Sequence, residues 1–187
     1  SAAVPTSIPM SNDSISTVTI APEGFQFPAG KDNVTILASM VDEHYFETMD
    51  IPLVSGRAFR RTDTEAAPAV AIVNETMARR YWPEQDVLGK RVRLDQRDGM
   101  MVEIVGVAAD SKNAFIGMDP LEMLYVPRLQ HASPQATLLV HTDGPPATMA
   151  GSVREVVHSL DPEMPVFGVR TMEDFYYMRA TYIARLI

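Results

Sequence analysis

The chain reads as an α+β fold, a mixed sheet with a few helices, and three observations predict it. Segments of β-branched or alternating apolar residues, at 34–41, 70–73, 92–94 and 102–107, are interleaved with helical periodicity in no strict strand–helix–strand order. Asp98-Gly99 stands between two of those segments as a hairpin signal in the middle of the chain. Over 187 residues, 46% hydrophobic and 21% charged positions make an ordinary globular composition, enough for one large domain or two small ones.

The run AVAIVNETMARRYWPEQDVLGKRVRL, residues 69–94, is the most legible stretch. Val70, Ile72 and Val73 favour a pleated strand. Asn74 is placed to cap a helix with its side-chain oxygen, and Glu75 sits where the helix dipole favours negative charge. Met77, Ala78, Tyr81 and Trp82 form one apolar helical face, and Pro83 stops the helix. Gly89 supplies a turn, after which Val92 and Leu94 alternate with Arg91 and Arg93 as in a half-buried strand.

Around this run the elements follow in order. Residues 11–20 are rich in Ser and Thr and read as an exposed or edge strand through Val18 and Ile20; 21–33 reads as a loop holding Phe25 and Phe27. Val34, Ile36, Ala38 and Met40 make one face of a strand whose other face is partly apolar. Asp42 is then placed to cap a short helix with Tyr45, Phe46 and Met49 facing inward. Residues 51–54 are briefly extended, and 56–64 form a charged connector. After the turn at 95–99, strands are expected at 102–107, 123–126 and 136–142, with a loop at 108–120. The clearest helix is 147–160, where Met149, Val153, Val156, Val157 and Leu160 form a continuous stripe. Burying that stripe is worth on the order of 10 kcal/mol gross. Ordering the backbone costs about 1–2 kcal/mol per residue, so the helix needs a sheet to pack on. A last strand is expected at 166–169. Thr171 and Asp174 make a capping box for a terminal helix carrying Phe175, Tyr176, Arg179, Ile183 and Leu186.

Charge and composition exclude several classes of function. A net charge of −8 argues against nucleic acid and against anionic lipid surfaces. With no cysteine there is no disulfide, thiolate metal site or thiol nucleophile. No run approaches the roughly 18 apolar residues of a membrane span. The start, SAAVPTSIPM, lacks the basic and apolar regions of a signal peptide and reads as the start of a segment excised from a longer chain.

Motifs for chemistry are missing. His44, His131, His141 and His158 show no metal-ligand spacing and read as solvated or hydrogen-bonded histidines. There is no GxSxG elbow. Gly89-Lys90-Arg91 is no P-loop, since Glu84 stands where the first glycine belongs and Arg91 where Ser or Thr belongs. The Arg57, Arg60, Arg61 group has the chemistry to hold an acidic ligand, but Asp63 and Glu65 beside it favour local ion pairing. Tyr81 and Trp82 offer a stacking platform or, at the end of an amphipathic helix, core packing, which is the preferred reading. The sequence therefore yields no catalytic residue, cofactor-binding residue or metal ligand.

The order VDEHYFETMDIPLVSGRAF, AVAIVNETMARRYWPEQDVLGKRVRL, VEIVGVAAD and MLYVPR resembles the extracytoplasmic core domain of MacB/FtsX-type ABC-transporter permeases, most of all the orphan MacB-like permeases of acidobacteria. The similarity covers residues 34–187. Asp50 stands where that family usually has Gly, and Val87 where Pro is common. The resemblance implies two lobes, a porter-like α+β lobe from residues 1–67 and 131–187 and a smaller β-rich, sabre-like insertion at 68–130. It also implies a position on the periplasmic side of the cytoplasmic membrane. The implied partners are a second permease copy or half, a cytoplasmic ATPase reached through the membrane part, and a periplasmic adaptor or substrate protein, with no nucleic acid, catalytic residue or cofactor.

The reading that follows is a non-enzymatic periplasmic domain that transmits ATP-driven motion. The alternative is a periplasmic ligand-binding module with a cleft between lobes, which requires a deep pocket with convergent polar groups. A hydrolase with a dispersed site is a distant third and requires perturbed titratable groups in such a pocket.

Overall fold

In the computed structural model the described residues are 1–9, 16–94, 99–111, 119–131, 133 and 136–184, with side chains through 178. They form two compact units, Ser1–Val140 and His141–Ile187.

In the first unit the elements are β1 (Ala2–Ala3), β2 (Thr17–Pro22), β3 (Val34–Val41), α1 (Tyr45–Thr48), β4 (Leu53–Gly56), β5 (Val70–Asn74), α2 (Glu75–Tyr81), β6 (Arg91–Leu94), β7 (Met100–Ala108), β8 (Met123–Pro127) and β9 (Leu139–Val140). A 3-10 turn, Arg128–Gln130, follows β8. β1 and β9 pair antiparallel as a separate ribbon. The main sheet runs β4-β7-β5-β8-β3-β2-β6, and β6 pairs with β7 as well as with β2. The sheet therefore closes on itself through β2, β3, β8, β5, β7 and β6, with β4 appended to β7. β3–β8 and β5–β7 are parallel; the other ladders are antiparallel.

Alternation decides what the ring contains. Val18 and Ile20, Ile36, Leu124 and Val126, Ala71 and Val73, Val102 and Ile104, and Val92 and Leu94 point one way from the six strands into a single buried cluster. Met77, Ala78, Tyr81 and Trp82 of the α2 segment belong to the same cluster, so the helical face read from the sequence packs as expected. Trp82 is 3% exposed and is a core residue. β5 and β8 are buried along their whole length, because their other faces are covered too. There Tyr125 meets Phe46 and Tyr45 at ring separations of 5.0 and 5.8 Å, and Phe59 meets Phe46 at 6.3 Å.

The stretch expected as an insertion, residues 68–130, supplies β5, β6, β7 and β8 of the strand ring. β5 and β8, inside the expected insertion, share the ring with β2 and β3 outside it, with five residue pairs linking β3 to β8 from Leu37↔Met123 to Val41↔Pro127. The reason is backbone satisfaction: the β8 edge left open by β5 is completed by β3, and apolar alternation marks a strand without naming its neighbour. The hairpin residues 95–98 and much of the expected loop at 108–120 lie outside the described residues.

Asp42 also departs from expectation. His44 occupies the cap position of α1 with no side-chain bond. The Asp42 carboxylate instead accepts from the Val4 amide at 2.8 Å and the His44 amide at 3.3 Å.

The second unit holds α3 (Pro146–Leu160) and α4 (Met172–Ala184). The helix expected at 147–160 is present, but none of its side chains is buried, and Val156 and Leu160 are 59% and 82% exposed. The strand expected at 166–169 does not form, and the one expected at 136–142 shrinks to β9, whose two residues pair with β1. Thr171 does start α4: the Asp174 amide donates to its hydroxyl at 3.0 Å, and the hydroxyl donates to the Asp174 carboxylate at 2.8 Å. Ile183 and Leu186 lie outside the described side chains.

Candidate functional site

The densest polar construction is the junction between β5 and α2. Asn74, fully buried, uses each hydrogen-bonding capacity of its amide group. Its oxygen accepts from the Met77 amide of α2 and the Met123 amide of β8, both at 3.0 Å. Its nitrogen donates to the Asp110 carboxylate at 2.8 Å and the Leu121 carbonyl at 2.9 Å. One side chain thus caps the helix, as the sequence predicts, and joins it to the segments after β7 and before β8.

Asp110 is the second hub. Besides Asn74 it accepts from the Thr76 amide (2.9 Å), the Thr76 hydroxyl (2.8 Å) and Arg79 (2.7 Å). Partial burial pushes its pKa up, but the Thr76 amide, Arg79 and the Thr76 hydroxyl outweigh that and hold it below the ordinary 3.8. Arg80 pairs with Glu122 across the same face. The sequence signals Asp110 only as a carboxylate at the end of the apolar run VEIVGVAAD, and no role is read from that position alone.

The connector after β4 is fixed by Arg57 and Asp63, joined by two hydrogen bonds of 2.8 and 3.0 Å. Asp63 also accepts from the Arg60 amide at 2.8 Å. Burial raises its pKa, and Arg57 and the Arg60 amide more than reverse this, leaving it lowered. Arg61 pairs with Glu43 at 2.8 Å, not with Glu65. Within the arginine group, Arg57 pairs locally with Asp63, as its neighbour predicts, whereas Arg61 reaches a carboxylate eighteen residues away. Gly56, at φ +76°, lies so close to β7 that a Cβ would sit 2.3 Å from the Val105 carbonyl oxygen.

Asp50 gives the family departure noted in the sequence a physical meaning. Its φ is +52°. The Ile51 amide donates to Phe46 O at 2.8 Å and the Asp50 amide to Glu47 O at 3.2 Å, the paired bonds of a Schellman helix end. Glycine is the usual residue at that position because it lacks the Cβ that makes this conformation costly.

The remaining candidates scatter. His44 lies 3.5 Å from Glu43, His131 is buried beyond the 3-10 turn, and His141 and His158 are exposed in the second unit. Among the described residues no group of three or more side chains is arranged to hold a metal ion. Gly89, at φ +77°, makes the expected turn; Lys90 donates to Gln85 at 3.1 Å and Arg91 pairs with Glu23 at 2.8 Å. An open groove of ≈ 290 Å³ lies between β4 and α2, lined by Val54, Ser55, Ala78, Arg79, Asp86 and Val87 among others. Its arginine is already engaged by Asp110 and Glu75, and Asp86 adds a second carboxylate to the lining.

Comparison with known proteins bears on this architecture. Residues 4–160 match the model of the MacB-like periplasmic core domain. The macrolide export ATP-binding/permease proteins MacB of Neisseria gonorrhoeae and Neisseria meningitidis are 29% identical over 97 residues. That alignment covers 51% of this chain and 14% of theirs, so the chain spans a small part of those relatives. The periplasmic region of MacB from Actinobacillus actinomycetemcomitans superposes with a TM-score of 0.52 at 17% identity, covering 80% of this chain and 69% of that one. The extracellular domain of the noncanonic ABC-type transporter YknZ from Gram-positive bacteria gives 0.52 at 18% identity, covering 85% and 83%. Those likenesses establish the α+β fold, and the match across residues 4–160 places the chain in the MacB-like periplasmic core domain family.

Proposed function

We propose that this chain is the non-catalytic extracytoplasmic domain of an ABC-transporter permease, on the periplasmic side of the cytoplasmic membrane, and that it conveys ATP-driven motion to a substrate or partner protein. The observation that carries the reading is the family match over residues 4–160, borne on a ring of strands filled with apolar side chains. A body packed as densely as a protein interior passes displacement on instead of absorbing it. The partners this reading assigns are a second permease copy, an ATPase reached through the membrane part, and an adaptor or substrate protein. Helix α4, which contains neither Gly nor Pro, is the element assigned to couple the domain to the membrane part.

The test inserts a flexible Gly-Ser segment after Ile187 in the full permease and measures ATP hydrolysis beside export of a macrolide, the class named for the Neisseria relatives. Hydrolysis should persist while export falls. Unchanged export refutes α4 as a coupling element. The groove beside α2 favours a second reading, a periplasmic ligand-binding module, but at ≈ 290 Å³ it sits at the lower edge of ligand pockets, about 300–1,000 Å³.

A further inference from the structure

Among the described residues, β2's bonds to β3 reach as far as the one from the Ala38 amide to the Ser16 carbonyl at 2.9 Å, just before β2 begins. Beyond it, residues 4–7 take over. The Thr6 amide donates to the Met40 carbonyl at 2.9 Å, and the Met40 amide donates to the Thr6 hydroxyl at 3.1 Å. Ser7 and Ser39 share a hydrogen bond of 3.1 Å, and the Val4 amide donates to Asp42 at 2.8 Å. One backbone bond, Thr6 to Met40, and the side-chain contacts of Val4 with Asp42 and Ser7 with Ser39 run in opposite directions along the two segments, so residues 4–7 lie antiparallel to the end of β3. This offset differs by eight residues from that of the β2–β3 pair Thr17↔Leu37.

This seam is polar where a core would normally be apolar. Thr6, Ser7 and Ser39 are 7%, 9% and 1% exposed, and each is hydrogen-bonded. Sliding this segment by one residue separates all three contacts and leaves buried hydroxyls without partners, so the polar seam fixes a single register. The same segment holds the chain leaving the unit: the Thr137 amide donates to Pro5 O at 2.9 Å, and Ala2 and Ala3 pair with Val140 and Leu139.

We propose that residues 4–7 are a strap through which motion reaching the start of this domain is delivered to the strand ring, with the Asp42 carboxylate as its clasp. The proposal rests on the transporter reading above and specifies where that motion enters. The contacts at Val4, Thr6 and Ser7 succeed one another along the strap, so a pull along it strains them together. Asp42 is the positioning residue: it is the side chain of β3's end that grips the strap's backbone, and its second oxygen is held by the His44 amide at 3.3 Å.

Hydrogen exchange on the 187-residue chain tests the clasp without any assumption about transport. Asp42→Ala should speed exchange of the Val4 and Thr6 amides at least tenfold while Ile72 and Ile104 in the ring keep their rates. Asp42→Asn, which retains an acceptor oxygen, should restore most of the protection. Unchanged Val4 and Thr6 rates overturn the clasp, and so does an equal rise across the ring. In the full permease, exchange of β3 is compared between ADP and ATP-vanadate. The wild type should show a nucleotide-dependent change that Asp42→Ala abolishes while ATP hydrolysis persists. If the variant keeps the change, the strap is not the route. If the wild type shows no such change anywhere in the domain, the transporter reading fails, and the clasp is judged by the exchange rates of the isolated chain alone.

Discussion

Replacing Asn74 with Asp changes one buried NH₂ into an oxygen, leaves the volume and the helix-capping oxygen in place, and sets a second carboxylate where the amide nitrogen lies 2.8 Å from Asp110. At an effective dielectric of about 20, two unit charges that close repel by roughly 6 kcal/mol. Protonating one carboxyl at pH 7 costs only about 4 kcal/mol, at about 1.4 kcal/mol per unit above an ordinary pKa near 4. The variant therefore takes up a proton on folding. That proton restores one of the two lost donors, and the Leu121 carbonyl stays short of one at a cost of about 1 kcal/mol or more. The expected penalty is about 5 kcal/mol at pH 7, falling to about 2–3 kcal/mol at pH 5. The folded variant holds the extra proton, so its stability relative to wild type falls as pH rises. Urea unfolding of both proteins at the two pH values measures the difference directly. A penalty below about 1 kcal/mol, or one that does not change with pH, refutes the hub assigned to Asn74.

Two further outcomes follow from the same structure. Asp50→Gly should stabilise by about 0.5–1 kcal/mol, because φ +52° is costly with a Cβ and the extra chain entropy of glycine offsets part of the gain; Asp50→Ala should destabilise, and a thermal melt in which both variants shift alike refutes the helix-end assignment. Asp110 and Asp63 titrate below the ordinary 3.8 when folded, so the unfolded chain binds more protons in acid. Their contribution is complete above about pH 5 and is lost as pH falls through about 4 to the lowered values; Asp110→Asn should flatten that limb of a urea-midpoint profile, and an unchanged slope removes Asp110 from it.

What the sequence reveals depends on how local the cause is. Asn74, α2 and the Thr171–Asp174 cap are legible because donor and acceptor lie within one helical turn. The pairing of β3 with β8 joins Leu37 to Met123, and nothing in either strand's alternation identifies the other. The same limit misplaces Asp42, whose carboxylate divides between the Val4 amide, thirty-eight residues away, and the amide of His44, which itself takes the cap position. Residues 166–169 carry apolar side chains at strand-like spacing, yet a strand needs a neighbour to hydrogen-bond, and Phe167 is left 86% exposed. Asp50 is an intermediate case: its departure from the usual glycine is visible in the sequence, and its φ supplies the reason.

The closure of the strand ring also governs how this unit is assembled in time. A ladder such as β3–β8 cannot zip outward from a turn; the intervening chain must first be brought round, at an entropic cost that is met before any contact repays it. Chains dominated by such distant pairings fold in about milliseconds to seconds, where helical bundles need about microseconds to milliseconds. Until the ring shuts, β2, β3, β5, β6 and β8 each present an unpaired edge to any neighbouring chain. Afterwards the edge that the main sheet's pairing order leaves among the described residues belongs to β4, a strand of four residues with a register shift and a left-handed glycine at its end. The hazard of aggregation is therefore concentrated in the interval of synthesis and closure, and a slow step there is where a chaperone would have its effect.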